Sequence, residues 1–270
     1  TKPDQGGTVP FYEYTHLSAE LTGGSIHVSD PGWIVIEQKE TKGGLTFAKL
    51  AHEGKETWWM ASEADGTLML KETQTEVIKP DGKWINGAPI SESNQLRQVG
   101  NLTQIQGEKD TTTGSLSVFE FLSTITAKDT TVQTWKTVSF TDAADEKVTV
   151  YYPKEVSGDR VMRPGLKFKV EGTFLERLDF LSLMLALFLG TAALPHILIR
   201  YYTVPNSASA RKSTIVAIAA IGFFYVLTLF MGLGAMVNGV INPADSNMAA
   251  PLLARSFGEL LFAIISAIAF

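Results

Sequence analysis

The sequence predicts an α+β chain in two parts: a β-rich polar segment over residues 1–176 and an all-α transmembrane segment over residues 177–270. Three observations predict it. The mean hydropathy of +0.09 averages a front rich in Thr, Gly, Lys and Glu with a strongly apolar back, and the change falls near residues 172–176. The front carries short β-prone runs between turn signals, recurring every ~8–12 residues as in an antiparallel sheet or sandwich. The run LDFLSLMLALFLGTAALPHILIRYY (178–202) holds no charge between Asp179 and Arg200 when His196 is neutral. About 20 such residues cross a ~30 Å hydrocarbon core.

TKPDQGGTVP opens the chain as an exposed linker, and FYEYTHLSAELTGG (11–24) reads as a short amphipathic helix stopped by Gly23 and Gly24. WIVIEQ (33–38), LTFAKL (45–50), ETWWMA (56–61), TLMLKET (67–73), TEVIK (75–79) and KWING (83–87) read as strands. Asp65 and Gly66 form a type I′ hairpin signal, and Asp81 and Gly82 a second turn signal. Residues 91–114 are polar and irregular. SLSVFEFLSTITA (115–127) starts as a helix, with Leu116, Phe119 and Leu122 on one face. VQTWKTVSF (132–140), KVTVYYPKEV (147–156) and LKFKVEG (166–172) return to strand. Trp33, Trp58, Trp59, Trp84 and Trp135 anchor the core of this part.

In the apolar part, RYYTVPNSASARK (200–212) is a short loop with Arg200, Arg211 and Lys212 and no acid, so it is cytoplasmic by the positive-inside rule. Residues 1–176 are then extracytoplasmic. Spans are expected at about 178–200, at 213–237, and from 259 to 270, where the chain stops within an apolar run. Gly222, Gly232 and Gly234 of the second span permit close helix packing, and residues 248–254 read as a short helix in the external loop. The first residue is Thr, so the chain reads as a piece of a longer membrane protein.

The first span is interrupted over residues 190–195. Proline lacks an N–H and clashes with the carbonyl four residues back. In lipid the freed backbone groups need protein, water or ligand as partners, and transporters hold substrate at such breaks. A packed kink without ligand produces the same sequence. Gly190, Thr191 and Ala192 would offer a hydroxyl and backbone groups. A half-helix opening at Pro195 or His196 would aim its N–H groups and positive dipole end at a carboxylate. His196 is either a proton relay or a neutral imidazole bonded to a neighbouring carbonyl.

Other chemistry is excluded or weak. There is no cysteine, so no disulfide or thiolate metal site. His16, His27 and His52 lack zinc spacing, and no metal or cofactor is expected. A net charge of −5 without a basic patch argues against nucleic acid. No G-x-S-x-G, H-E-x-x-H or phosphate loop is present. The pair Trp58 and Trp59 would either stack a sugar or aromatic ligand or place one ring in a core.

GTAALPHILIRYYTVPNSASARKS resembles the sodium:solute symporter family, in its acetate permease and monocarboxylate branch. The pattern G-T-A-x-L-P-H-I-L-x-R, two aromatics and T-V, followed by A-R-K-S, marks the sixth core helix and the loop after it. NMAAPLLA in the external loop and GELLFAIISAIAF entering the eighth core helix agree. The resemblance covers about residues 178–270. It implies a LeuT-type inverted-repeat transporter that imports a small organic anion with Na⁺ or H⁺ by alternating access, in the bacterial inner membrane. Its partners would be lipid, the anion, the coupling cation and the remainder of the same chain. Residues 1–176 depart from the acetate permease pattern and would be an insertion between the fifth and sixth core helices, serving as a cap, a docking module or a substrate-capture domain. The sodium ligands would lie outside this chain. Two other readings are a transporter-like sensor domain of a signalling protein and a binding module held by a plain membrane anchor.

Overall fold

The structure is a computed structural model that describes residues 14–41, 43–64, 67–100, 102–109, 111–163, 170, 172–192, 199 and 202–269. It divides into two compact units, Thr1–Gly158 together with Met231–Phe270, and Asp159–Phe230.

The first sheet is antiparallel, in the order β2-β1-β6-β5-β4-β3. Its strands are β1 (His16–Thr22), β2 (Ser25–Val28), β3 (Ile34–Glu40), β4 (Thr46–His52), β5 (Lys55–Ala64) and β6 (Thr67–Glu72). β2 and β3 are its opposite edges, yet only residues 29–33 join them. Six flat strands would set the edges about 24 Å apart, while this connection reaches about 20 Å when fully extended. The turn at Asp30, where its carboxylate accepts from Gly32 N at 3.1 Å, shortens it further. The sheet therefore curls until β2 meets β3. Every strand faces the resulting interior, which holds Leu17, Ala19, Ile26, Ala48, Leu50, Trp59 and Leu70.

β1 corrects the helix expected over residues 11–24. Leu17 and Ala19 alternate into the core with period two, and β1 pairs on both sides, with β2 and β6. Gly23 and Gly24, which read as a helix stop, have φ of 60° and 85°. Two successive positive φ values make the two-residue turn of a β-hairpin.

The chain crosses to the second sheet at Thr73, whose hydroxyl donates to the Trp58 carbonyl. That sheet has the order β10-β11-β12-β7-β8-β9. It comprises β7 (Gln74–Lys79), β8 (Gly82–Ile85), β9 (Ala88–Pro89), β10 (Leu102–Gln104), β11 (Thr131–Thr141) and β12 (Lys147–Ser157). Phe47, Trp58 and Met60 of the first sheet pack with Val148 and Val150 of the second. Successive strand residues point to opposite faces, so Trp59 fills the curled sheet and Trp58 the space between sheets, at 3% and 1% exposure. Neither ring is free to stack a ligand.

The helix expected from residue 115 is α1 (Val118–Thr126). The Ser117 hydroxyl accepts from Glu120 N while the Glu120 carboxylate accepts from Ser117 N, so two end donors are satisfied reciprocally. A four-residue turn, α2 (Gly158–Val161), follows β12. Asp65, Gly66 and most of the strand expected at 166–172 lie outside the described residues.

The apolar part forms α3 (Phe174–Ala192), α4 (Ser207–Val237), a 3₁₀ turn at Ser246–Met248, α5 (Ala249–Phe257) and α6 (Glu259–Ala269). Among the described residues, α4 is the one helix long and apolar enough to cross a membrane. Its 31 residues rise about 46 Å. It starts six residues before the span expected at 213–237, because Asn206 caps it: the Asn206 side chain accepts from Ser209 N at 2.8 Å. Arg211 and Lys212 thus lie in the second turn of the helix, not in a loop.

Candidate functional site

Three of the five residues expected to hold substrate fall in the last turn of α3. Gly190 and Thr191 are exposed, and helical geometry continues through Ala192. A Cβ on Gly190 would meet no atom within 4 Å. Pro195 and His196 lie outside the described residues.

A second arrangement joins the sheets to the segment after α4. Val99 N donates to Ile241 O at 2.8 Å and Ile241 N donates to Val99 O at 2.9 Å, an antiparallel bridge. Val99 is 2% exposed and Val240 4%. The sheet side is set by Gln74, fully buried at the start of β7. Its side-chain amide donates to Arg97 O at 2.9 Å, and its oxygen accepts from Arg97 N at 2.5 Å. The same amide nitrogen donates to the Tyr14 hydroxyl at 2.9 Å. One buried side chain therefore satisfies both backbone groups of Arg97 and places Val99 two residues on.

The helix side is set by how α4 ends. Gly239 takes φ of 65°, its N–H donates to Met236 O, and Val240 N donates to Ala235 O. This is a Schellman motif, in which a left-handed residue lets the chain turn back and satisfy the last carbonyls. It turns Val240 onto Ala235, Leu252 and Leu253 and Ile241 onto Val99. The two sides touch closely at Gly100, where φ is 122° and a Cβ would stand 2.7 Å from Met236 O. Of the three glycines expected to permit close packing, Gly234 does so, with Leu253 Cδ2 3.2 Å from where its Cβ would be; Gly222 and Gly232 have open space.

The sheets also hold a cleft of about 230 Å³ lined by Lys49, Glu56, Trp58, Lys79, Trp84 and Glu146. Its charges already pair with one another. Lys49 Nζ lies 3.0 Å from Glu56 and 3.4 Å from the buried Asp142 behind it, and Lys79 Nζ lies 3.8 Å from Glu146 and 4.3 Å from the Trp84 ring centre. Burial pulls the Lys49 ammonium down, but its two carboxylate partners outweigh this and raise its pKa. Such a cleft offers closed ion pairs rather than an open charge for an anion. Among the described residues, no three His, Asp or Glu side chains come together as metal ligands would.

Gln74, Val99, Gly100 and Ile241 carry no local signal in the sequence. Asn238 and Gly239 after an apolar helix were a visible end signal, but nothing local linked Ile241 to a residue 142 positions earlier.

After Arg211 and Lys212, α4 is uncharged to Val237 and its apolar side chains are exposed, as in a helix long and apolar enough to cross a membrane. The chain belongs to the sodium:solute symporter family, which it matches over residues 115–270, more than half its length. The match takes in α1 and the β11–β12 hairpin as well as the apolar helices. A Corynebacterium glutamicum protein named monocarboxylic acid transporter is 48% identical over 117 residues, 41% of this chain and 21% of that protein. A Bacillus subtilis protein named uncharacterized symporter YwcA is 50% identical over 119 residues, 42% of this chain and 22% of that protein. The chain thus spans about a fifth of the length of these curated relatives. Both are transporters by name, and the chain is not an enzyme. No solved structure matches it.

Proposed function

We propose that this chain is part of a cation-coupled importer of a small organic anion, a monocarboxylate such as acetate, working by alternating access in a LeuT-type inverted-repeat fold. The observation that carries the reading is the 48% identity to the monocarboxylic acid transporter. The coupling cation is Na⁺ or H⁺. The proposed substrate contacts are Gly190, Thr191, Ala192, Pro195 and His196, where proline interrupts backbone bonding in lipid.

Residues 1–176 are proposed as an extracytoplasmic insertion between core helices five and six, and residues 177–270 as the membrane segment, with 200–212 cytoplasmic. Two observations support this orientation. The start of α4 carries Arg211 and Lys212 and its other end carries no charge. The bridge between Val99 and Ile241 requires the sheet unit and the far end of α4 to share one side of the bilayer.

The test uses the full-length protein in liposomes, with uptake of labelled acetate, propionate, pyruvate and lactate followed under a Na⁺ or H⁺ gradient. Gradient-driven uptake is expected for at least one acid. Thr191→Ala is expected to lower it about tenfold, the loss of one hydrogen bond to a charged group. No uptake of any acid by folded protein would refute the reading, and unchanged uptake in Thr191→Ala would move the site elsewhere.

A further inference from the structure

We infer that the sheet unit is a mount: it holds the end of α4 and the loop after it as one rigid piece throughout the transport cycle. The inference rests on the symport reading for its effect on uptake, and on the bridge between Val99 and Ile241 for its geometry. This goes beyond a soluble module tethered by its two ends, because the contact is made 142 residues apart in sequence, through backbone groups on both sides.

Three features make the contact rigid. The two hydrogen bonds of the bridge are short and reciprocal, at 2.8 and 2.9 Å. Each side is fixed by its own fold before the two meet: Gln74 clamps Arg97 on one side, and the Schellman motif at Gly239 fixes Val240 and Ile241 on the other. Gly100 allows a backbone-to-backbone approach on Met236 O that no larger residue permits without displacement. Val99, Val240 and Ala235 are sealed from water around it, at 2%, 4% and 0% exposure. Buried amides in such a setting bond to each other because opening the contact would leave them unpaired. The last turn of α4, residues 234–237, therefore moves with the sheets, and so do Leu252 and Leu253 of α5, packed on Ala235 and Val240.

The chain contains no cysteine, so the mount can be tested with an engineered pair. A hydrogen-bonded antiparallel pair places its α-carbons about 5.5 Å apart, within the range a disulfide spans. Val99→Cys with Ile241→Cys, in a full-length protein otherwise free of cysteine, would be oxidised with copper phenanthroline in air and reduced with dithiothreitol. Peptide mass spectrometry would measure the bond, and labelled acetate uptake in liposomes would be followed in both states. The disulfide is expected to form nearly completely, and oxidised and reduced protein to transport within twofold of each other. Failure to cross-link would overturn the inference. A tenfold fall on oxidation, reversed by reduction, would also overturn it, because the contact would then have to open in the cycle.

A second arm reads the mount without transport. Gly100→Val should raise deuterium exchange of peptides covering residues 238–245 by at least tenfold while Leu50 and Val150 stay protected in their sheets. Unchanged exchange there would contradict the mount. If the unmodified protein takes up none of the four acids, the symport reading fails, and the cross-link and exchange results still decide the mount.

Discussion

The sheets and the apolar helices use the same side chains in opposite ways. Phe47, Leu50, Leu70 and Trp58 are at most 1% exposed within the sheets, whereas Ile218, Phe223, Phe224 and Tyr225 on α4 are 60–68% exposed. In water, an exposed run of that size would drive collapse or association. In hydrocarbon it costs nothing, since lipid tails are as apolar as the residues, and what must be satisfied there is the backbone, which a helix does alone. Burial by protein thus measures the solvent as well as the fold: sheet strands alternate because one face meets water, while residues 213–237 of α4 are uncharged on every face, as a segment solvated by lipid would be.

That contrast can be broken most sharply with matched truncations. Trp58→Ala removes a ring filling the space between sheets and is expected to cost about 3–5 kcal/mol; Phe223→Ala, at a position 66% exposed on α4, is expected to cost under about 0.5 kcal/mol if that face meets lipid, as surface changes do. Denaturant unfolding of both variants of the full-length protein, followed by tryptophan fluorescence, distinguishes them. Equal costs would mean that α4 is packed in protein like the sheets.

A smaller effect separates two turn glycines within the sheets. Gly87 has φ of 79° and a Cβ there would stand 2.7 Å from Glu56 O, whereas Gly54 has φ of 76° and open space. Gly54→Ala should cost about 1–2 kcal/mol for the left-handed backbone alone, and Gly87→Ala measurably more. A melting temperature lowered equally by the two would remove the close approach from the account.

The smallest effect is alkaline. Burial raises the pKa of Tyr151 and Tyr152 above 10.0, and Lys49 is raised above 10.5 once its carboxylate partners outweigh burial. All three hold their protons more tightly folded than unfolded. Their contribution is complete below the unfolded values and is lost as the pH rises through the folded ones. Thermal stability of the sheets should be flat from about pH 7 to 9 and fall above about pH 10. A fall beginning near pH 7 would point to other groups.

How legible each feature was depended on how local its cause is. The strands from β3 to β8 followed from alternation and turn residues, and α1 from a run opened by Ser117 with Glu120 three positions on. β1 looks helical in sequence because two glycines end a helix and turn a hairpin equally well; only its partners β2 and β6 decide, and β6 lies some 50 residues away. The start of α4 is hidden in sequence because its first turns are polar, and polar residues before a span look like loop without the cap that Asn206 supplies. The bridge of Val99 to Ile241 is invisible in sequence because a single bridge between residues 142 positions apart leaves no pattern in either segment. The substrate contacts expected at Gly190, Thr191, Ala192, Pro195 and His196 come from proline chemistry alone and stand as a proposal.

The most direct test of the account is the side of the membrane on which each region lies. Single cysteines at Glu92 and Ala208, both exposed, would be placed in a full-length protein engineered to carry no other cysteine. Intact cells would then be treated with a membrane-impermeant maleimide before and after permeabilisation. The account predicts that Glu92→Cys, in the sheet unit, is labelled in intact cells, and that Ala208→Cys, at the start of α4, is labelled only after permeabilisation. Labelling of Ala208→Cys in intact cells, or protection of Glu92→Cys, would contradict it.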